Sequence, residues 1–250
     1  MAQFKDHFSS ASDNYKTFRP TYPAELFSWL AQQCDTAEKV WDCGTGSGQA
    51  ALEHSKHFQQ VLATDASEAQ IIQAEVRNNI TYRVSPAEVL DAPDQSFDLI
   101  TVAQAIHWFD LSEFFKTIER VLKPGGHLAV WGYQFINTDT GLDQVIEHFH
   151  SNIVGPYWPP ERKLLNDGYT DIPFPYPRIE VPEFSMRANW TLPHLIGYLN
   201  TWSAVKKYEQ VNNNNPLQAI IPDLEKIWGA AQQTKCVYWP LNLYLGQKPY

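Results

Sequence analysis

The chain has 250 residues, 19 basic against 28 acidic for a formal charge of −9, and 44% hydrophobic residues. A chain of this length buries roughly 70–75% of its extended surface and needs no disulfide or metal staple. Cys34, Cys43 and Cys236 are odd in number and lack CxxC spacing, which argues against a disulfide framework or a metal site. Scattered basic residues under a net negative charge disfavour nucleic acid and anionic membrane as partners, since both are held largely through phosphate. No apolar run approaches the ~20 residues of a membrane helix. The first seven residues hold no apolar signal core, so the expectation is a cytoplasmic protein.

The first half alternates strand and helix signals. Lys39-Val40-Trp41-Asp42-Cys43 reads as a strand that runs into a glycine-rich turn, with a helix over residues 49–58. A second strand, residues 61–64, ends at Asp65 and precedes a helix over 68–77. Residues 81–84 form a third strand, and 97–102 a fourth, apolar enough to be buried on both faces. The amphipathic stretch 112–122 is a helix that must stop at Lys123-Pro124-Gly125-Gly126. Residues 127–131 form a fifth strand. Strands spaced by helices in this way predict a parallel, doubly wound α/β sheet.

After Phe135 the rhythm breaks: 12 of the 17 prolines, five of the nine tryptophans and eight of the twelve tyrosines lie beyond it. A helix is expected over 142–151, a strand over 178–186 that tolerates Pro182 at an edge or bulge, helices over 192–210 and 217–232, and a last strand over 236–245. The division expected is a single domain. Residues 1–35 form an N-terminal segment, 36–134 the nucleotide-binding core, 135–235 lid insertions, and 236–250 the last strand.

Asp42-Cys43-Gly44-Thr45-Gly46-Ser47-Gly48 lets a ligand approach the backbone where side chains are absent. Its G-x-G-x-G spacing differs from the G-x-G-x-x-G of dinucleotide sites, so the helix start faces a less anionic group than a pyrophosphate. Asp65, 17 residues after Gly48, stands where an acid reaches ribose hydroxyls. Asp42, at the end of the first strand, suits a ligand ammonium. Together these describe a nucleoside with a charged amino-acid tail.

Those residues, with Ser85-Pro86-Ala87-Glu88, Gln104-Ala105-Ile106-His107-Trp108-Phe109-Asp110 and Val121-Leu122-Lys123-Pro124-Gly125-Gly126, resemble class I S-adenosylmethionine-dependent methyltransferases. Tyr15-Lys16-Thr17-Phe18-Arg19-Pro20-Thr21-Tyr22-Pro23 and Tyr198-Leu199-Asn200-Thr201-Trp202-Ser203-Ala204-Val205 are similar to the type 11 branch that contains trans-aconitate methyltransferase. The resemblance implies a Rossmann-like, seven-stranded sheet, mostly parallel with an antiparallel last strand, under a helical, aromatic C-terminal cap. It also implies S-adenosylmethionine as cofactor and S-adenosylhomocysteine as product. The turn around Gly44, Thr45 and Gly46 would hold the methionine part. Asp65 would bind the ribose, Ala66 would pack beside the adenine, and Ala87 and Glu88 would line the adenine edge. Gln104 would sit at the reactive centre, and Tyr15 and Arg19 would fold over the cofactor.

Methyl transfer from a sulfonium is an in-line displacement, dominated by alignment and exclusion of water. A carboxylate acceptor needs no base, whereas a phenol, amine or thiol gains from one. His107 is the candidate base, with the alternative that His107 and Trp108 only wall the pocket. For the lid, Tyr157, Trp158, Tyr176, Trp190, Tyr198 and Trp202 are candidate cage residues, and Arg162, Arg178 or Arg187 could grip an acid. The reading is transfer to a small-molecule acceptor. A non-catalytic S-adenosylmethionine-binding regulator is the alternative.

Overall fold

A computed structural model describes residues 18–138 and 141–250. Tyr15 lies outside the described residues. The chain enters through α1 (Ala24–Gln33) and then forms β1 (Lys39–Cys43), α2 (Gln49–His54), β2 (Gln60–Asp65), α3 (Glu68–Ile71), β3 (Ile80–Val84) and β4 (Phe97–Ala103). A 3-10 turn, Ile106–Trp108, leads to α4 (Leu111–Val121) and β5 (Leu122–Tyr133). The cap follows as α5 (Leu142–His148), α6 (Arg162–Asn166), β6 (Arg178–Ile179), β7 (Ser185–Trp190), α7 (Leu192–Asn200), α8 (Ser203–Asn212) and α9 (Ile221–Trp228). The chain then returns to the sheet as β8 (Lys235–Gln247).

The sheet order is β3-β2-β1-β4-β5-β8-β6, with β7 paired to β8. β1 to β5 are parallel, and β8 runs antiparallel to β5 from His127↔Gln247 to Tyr133↔Leu241. Alternation along each strand feeds two cores. Val40 and Leu99 face one that extends through α1, α2 and the cap, while Trp41 and Ile100 face one under α4 with Phe97, Phe114 and Ile118. β4 is buried along six of its seven residues, as its apolar sequence predicts. Strand order reverses between β1 and β4, so their carboxyl ends open the crevice where doubly wound sheets take ligands.

The opposite edge is locked by Asp98, whose carboxylate accepts from Thr36 Oγ1 at 2.7 Å, Glu38 N at 3.1 Å, Lys39 N at 2.7 Å and Lys123 Nζ at 2.6 Å. That carboxylate ties the starts of β1 and β4 to the start of β5. α4 begins on Asp110, which accepts from Ser112 N and Glu113 N. Its far end is closed by the buried Lys248, whose Nζ donates to the carbonyls of Glu119 and Leu122.

Several elements differ from expectation. The strand expected over 178–186 is two, β6 and β7, because Pro182 and its neighbours leave the ladder; the sheet therefore has eight strands. The helix expected over 68–77 ends at Ile71: Ile72 and Val76 are 76% and 82% exposed, so no apolar face packs to extend it. The 192–210 helix breaks at Thr201-Trp202, where Trp202 turns inward at 5% exposure. The 142–151 helix ends as a π-type turn, Phe149–Ile153. β5 starts at Leu122, through the Pro-Gly-Gly run, with a pairing irregularity against β4 at Phe97/Leu99.

Three buried histidines make acid the main threat to this fold. Burial pushes His54 and His107 down to about 3 and His150 to about 4, so each stays neutral while the unfolded chain protonates below its ordinary value of 6.5. Stability is therefore present above pH 6.5 and lost as pH falls towards 3–4. Asp42, pushed up to about 6 by burial, acts in the opposite direction between pH 6 and 4 but is one group against three. Urea unfolding should show a loss of about 2–5 kcal/mol between pH 7 and pH 5. A flat profile over that interval would contradict the neutral, buried assignment.

Candidate active site

Gly44, Gly46 and Gly48 all take left-handed backbone, at φ +70°, +56° and +86°. A side chain at Gly44 would strike Ala105 Cβ at 2.6 Å, and one at Gly48 would strike the Tyr82 hydroxyl at 2.5 Å. Above Gly46 the space is open, with Gln70 Oε1 at 3.8 Å as the nearest atom. The turn therefore packs against the β4 loop on one side and exposes backbone on the other. Its amides are fixed from β2: Gly44 N and Thr45 N donate to Thr64 O at 2.8 and 2.9 Å.

Asp65 reaches across to this turn. Its carboxylate accepts from Gly46 N and from Ser67 N, each at 2.8 Å. The side chain remains only partly buried. Asp42 lies beneath the turn, fully buried, and accepts from Thr45 Oγ1 at 2.5 Å and Thr101 Oγ1 at 3.2 Å. Ala87 is buried, and Glu88 Oε1 accepts from Asp110 N at 2.8 Å, which ties that loop to the start of α4. Ala66 is half-buried beside Asp65.

At the carboxyl end of β4, Gln104 sits at φ +57°, a strained conformation for a residue with a side chain. Its Nε2 donates to Tyr133 O at 3.0 Å, and its Oε1 is buried without a partner. That Oε1 would lie 2.9 Å from a side chain at Gly132, beside Leu165 and Tyr169. Gly132 is thus the open position that lets the cap approach β5.

The cap brings the remaining groups to the same end. Arg19 Nη1 donates to the Tyr133 hydroxyl at 3.1 Å, and its guanidinium lies 5.2 Å from the centre of the Tyr198 ring. Arg162, at the start of α6, stacks on Trp158 at 4.1 Å. Its Nε is buried without a hydrogen-bond partner. Burial and the nearby Arg19 cation both lower its pKa; among the described residues, the groups that favour its charge are the Tyr198, Tyr133 and Tyr169 hydroxyls. His107 faces the same cation, with its Nδ1 2.9 Å from the Tyr169 hydroxyl.

Of the six lid aromatics, Trp158, Trp202 and Tyr198 come together here. Trp158 and Trp202 lie 5.6 Å apart, and Trp202 and Tyr198 6.0 Å. Trp190 backs Tyr198 at 5.2 Å. Tyr157 instead packs on Tyr208 of α8, and Tyr176 donates to Glu119 on the α4 side of the sheet. Trp108 packs on His107 with ring centres 4.8 Å apart and the planes tilted by 44°. Arg178 stacks on Tyr244, and Arg187 lies near Tyr238 and donates to Ser185, so of the three candidate arginines Arg162 is the one beside Arg19, Tyr133, Tyr169 and Tyr198.

Sequence reading missed Tyr133, His150 and Tyr169. His150 fills the cage between Phe135, Trp158 and Trp202, at ring distances of 4.6, 4.9 and 5.6 Å. It sits on the π-type turn, a distortion common at functional sites. Tyr169, at φ +63° after the left-handed Gly168, is a second strained position. The Gly168-Tyr169 pair was the one visible signal.

Comparison with known proteins fits this geometry. Residues 41–130 match the family model described as a methyltransferase domain. A Dictyostelium discoideum protein named as a methyltransferase is 37% identical over 230 residues, covering 90% of this chain and 88% of that one. A Saccharomyces cerevisiae protein named as an S-adenosylmethionine-dependent methyltransferase is 25% identical over 246 residues, 84% of each chain. A solved structure from Anaeromyxobacter dehalogenans, described as a type II methyltransferase, is 38% identical with a TM-score of 0.88 and covers 93% of this chain and 100% of that one. The chain belongs to the S-adenosylmethionine-dependent methyltransferases, and S-adenosylmethionine is its cofactor. No helix among the described residues is long and apolar enough to cross a membrane.

Proposed function

We propose that this methyltransferase acts on a small organic acid and methylates a carboxylate oxygen. The observation that carries the proposal is Arg162: a guanidinium with a buried, unpartnered Nε, set among tyrosines and near a second arginine, with no carboxylate among the described groups that perturb it. A cation in such surroundings gains most from an anionic ligand, which it can grip through two parallel N–H donors.

The residues present fit the cofactor. Gly46 leaves open space at the turn, Asp65 offers a partly exposed carboxylate beside it, and Gln104 Oε1 is an orphaned acceptor at the end of β4. In this reading the backbone of Gly44, Thr45 and Gly46 holds the amino-acid tail, and Asp65 accepts from the ribose. Ala66, Ala87 and Glu88 border the adenine. When bound, S-adenosylmethionine supplies a methyl group on a sulfonium sulfur, and in-line attack at that carbon releases S-adenosylhomocysteine. Arg162 holds the acceptor's carboxylate, with Arg19 beside it. Trp158, Trp202 and Tyr198 exclude water, which strengthens that electrostatic grip.

His107 is a wall of this pocket. Burial and the Arg162 charge push its pKa down to about 3, so near neutral pH it is an unprotonated imidazole of low basicity. A carboxylate, already ionised at pH 7, asks for no base. His107→Ala should therefore leave turnover of an acid acceptor within about tenfold of wild type, whereas a loss of 10²–10⁴-fold would mark a general base.

Screening small acids, phenols and amines for S-adenosylhomocysteine release tests the acceptor class directly. Turnover confined to amines or phenols would overturn it. Asp65→Ala should weaken S-adenosylmethionine binding at least tenfold, since it removes a ribose acceptor and releases Gly46 N. Calorimetry that shows unchanged affinity would remove Asp65 from the cofactor site.

A further inference from the structure

Beneath the glycine turn runs a buried chain of hydrogen bonds that crosses four elements. His54 Nε2, on α2, is 3.1 Å from Thr101 Oγ1 on β4. Thr101 Oγ1 is 3.2 Å from Asp42 Oδ1 at the end of β1, and Asp42 Oδ2 accepts from Thr45 Oγ1 in the turn at 2.5 Å. His54, Thr101 and Asp42 are each 0% exposed.

Proton counting gives this chain a direction. An ionised Asp42 only accepts, so the hydroxyls of Thr45 and Thr101 both point at it. Thr101 has then spent its one proton, and His54 must donate through Nε2–H. Its other nitrogen, Nδ1, is left as a bare lone pair with no partner, on a ring whose centre lies 4.9 and 5.9 Å from those of Phe27 and Phe58. Protonating Asp42 on Oδ1 reverses the first bond and leaves two arrangements. Thr101 can turn its proton onto His54 Nε2, whose own hydrogen must then sit on Nδ1 as a buried donor with nothing to accept it. Or it can swing onto Trp41 O, which at 3.5 Å is a long contact. Protonation on Oδ2 instead makes Asp42 the donor to Thr45 Oγ1 and turns the Thr45 hydrogen away from the carboxylate that accepts it. Each arrangement gives up a hydrogen bond of the ionised chain, so the chain favours the carboxylate.

We propose that Thr101 and His54 are positioning residues for cofactor binding: they keep Asp42 ionised beneath the turn, so that its carboxylate pins Thr45 and sets negative charge under the cationic cofactor. The proposal rests on the cofactor lying at the glycine turn. Burial works against it by pushing Asp42 up to about 6, while Thr45 and Thr101 pull the other way. The other titratable groups that bear on the chain are Asp65 at the end of β2, Tyr82 on β3 and Cys43 beside Asp42, each acidic, and His57 beside His54. Among the described residues none of the groups that shift Asp42 is a lysine or arginine. The neutral chain is therefore what holds the charge in place, and the cofactor's own cation is its counter-charge.

Two measurements on the full chain decide the matter. Nitrogen-15 correlation spectra of histidine-labelled protein, with the His54 signal assigned through His54→Phe, should show hydrogen on Nε2 and no titration between pH 5 and 8. Hydrogen on Nδ1 would overturn the relay whatever the cofactor does. Calorimetric titration with S-adenosylhomocysteine from pH 5.5 to 9 is the second. With the pH midpoint of binding raised by about one unit from about 6, Thr101→Val should bind about twofold more weakly at pH 7 and about eightfold more weakly at pH 5.5, and Thr101→Ser should restore both. A purely structural Thr101 would lower affinity at every pH without moving the midpoint, which overturns the proposal. Failure of wild type to bind at all would strike the placement of the cofactor instead, and the tautomer would still be read.

Discussion

Arg162→Gln should cut kcat/KM for an acid acceptor by roughly 10²–10³-fold while S-adenosylmethionine affinity stays within about twofold. In the proposed reading the loss comes from removing one partner of a charge pair, formed where Arg162 stacks on Trp158 with its Nε buried. The same substitution should not destabilise the protein. Arg162 Nε has no partner, and the neighbouring Arg19 cation disfavours its charge, so a neutral side chain relieves burial and repulsion together. Activity should fall while the urea midpoint holds or rises, as expected for a residue retained for function against stability. Equal losses for acid and neutral acceptors would show that Arg162 shapes the cap and reads no charge.

Asp98→Ala should have the opposite signature, a loss of about 3–5 kcal/mol in unfolding free energy. Asp98 is 5% exposed and accepts four hydrogen bonds, two of them from backbone amides at the start of β1. Its removal strands those amides, while the Lys123 ammonium, whose side chain is 29% exposed, keeps Glu38 Oε2 at 2.9 Å. Lys123→Met in the same background should change the loss by no more than about 1 kcal/mol, because the part-exposed ammonium retains its pair with Glu38. This cluster lies at the amino ends of the strands, so folded variant should keep cofactor affinity. Unchanged stability by denaturant titration would mean that water replaces all four bonds.

The two predictions separate the two edges of one sheet, and sequence reading saw those edges unequally. β1 to β4 were legible because each is a short apolar run closed by turn residues, and the G-x-G-x-G spacing reports its own backbone demands. At Gly44 and Gly48 the reason is steric, since Ala105 and Tyr82 occupy the space where a side chain would go. Helix boundaries were less legible. Whether residues 72–77 continue a helix depends on a packing face that no window of sequence displays, and here Ile72 and Val76 have none.

For the active site the division is sharper. Asp42 and Asp65 could be chosen from their place in a strand–turn–helix unit, and Gln104 from the family resemblance. Arg162 could be named only as one of three arginines. Choosing among them required knowing that Arg178 and Arg187 stack on β8 tyrosines while α6 folds back over Gly132. Tyr133, His150 and Tyr169 carried little or no local signal, because their meaning lies in contacts across 60 or more residues of chain or in a π-type turn. By itself the sequence determined the sheet's parallel half and the glycine turn, both set by short-range periodicity and backbone sterics, while the cofactor followed from the resemblance of its motifs to known methyltransferases. Only the tertiary structure decided which arginine gathers with Tyr133, Tyr169 and Tyr198, which aromatics pack together beside it, and which groups share the buried hydrogen-bond chain under the turn. Those properties belong to distances between segments that the chain brings together only on folding.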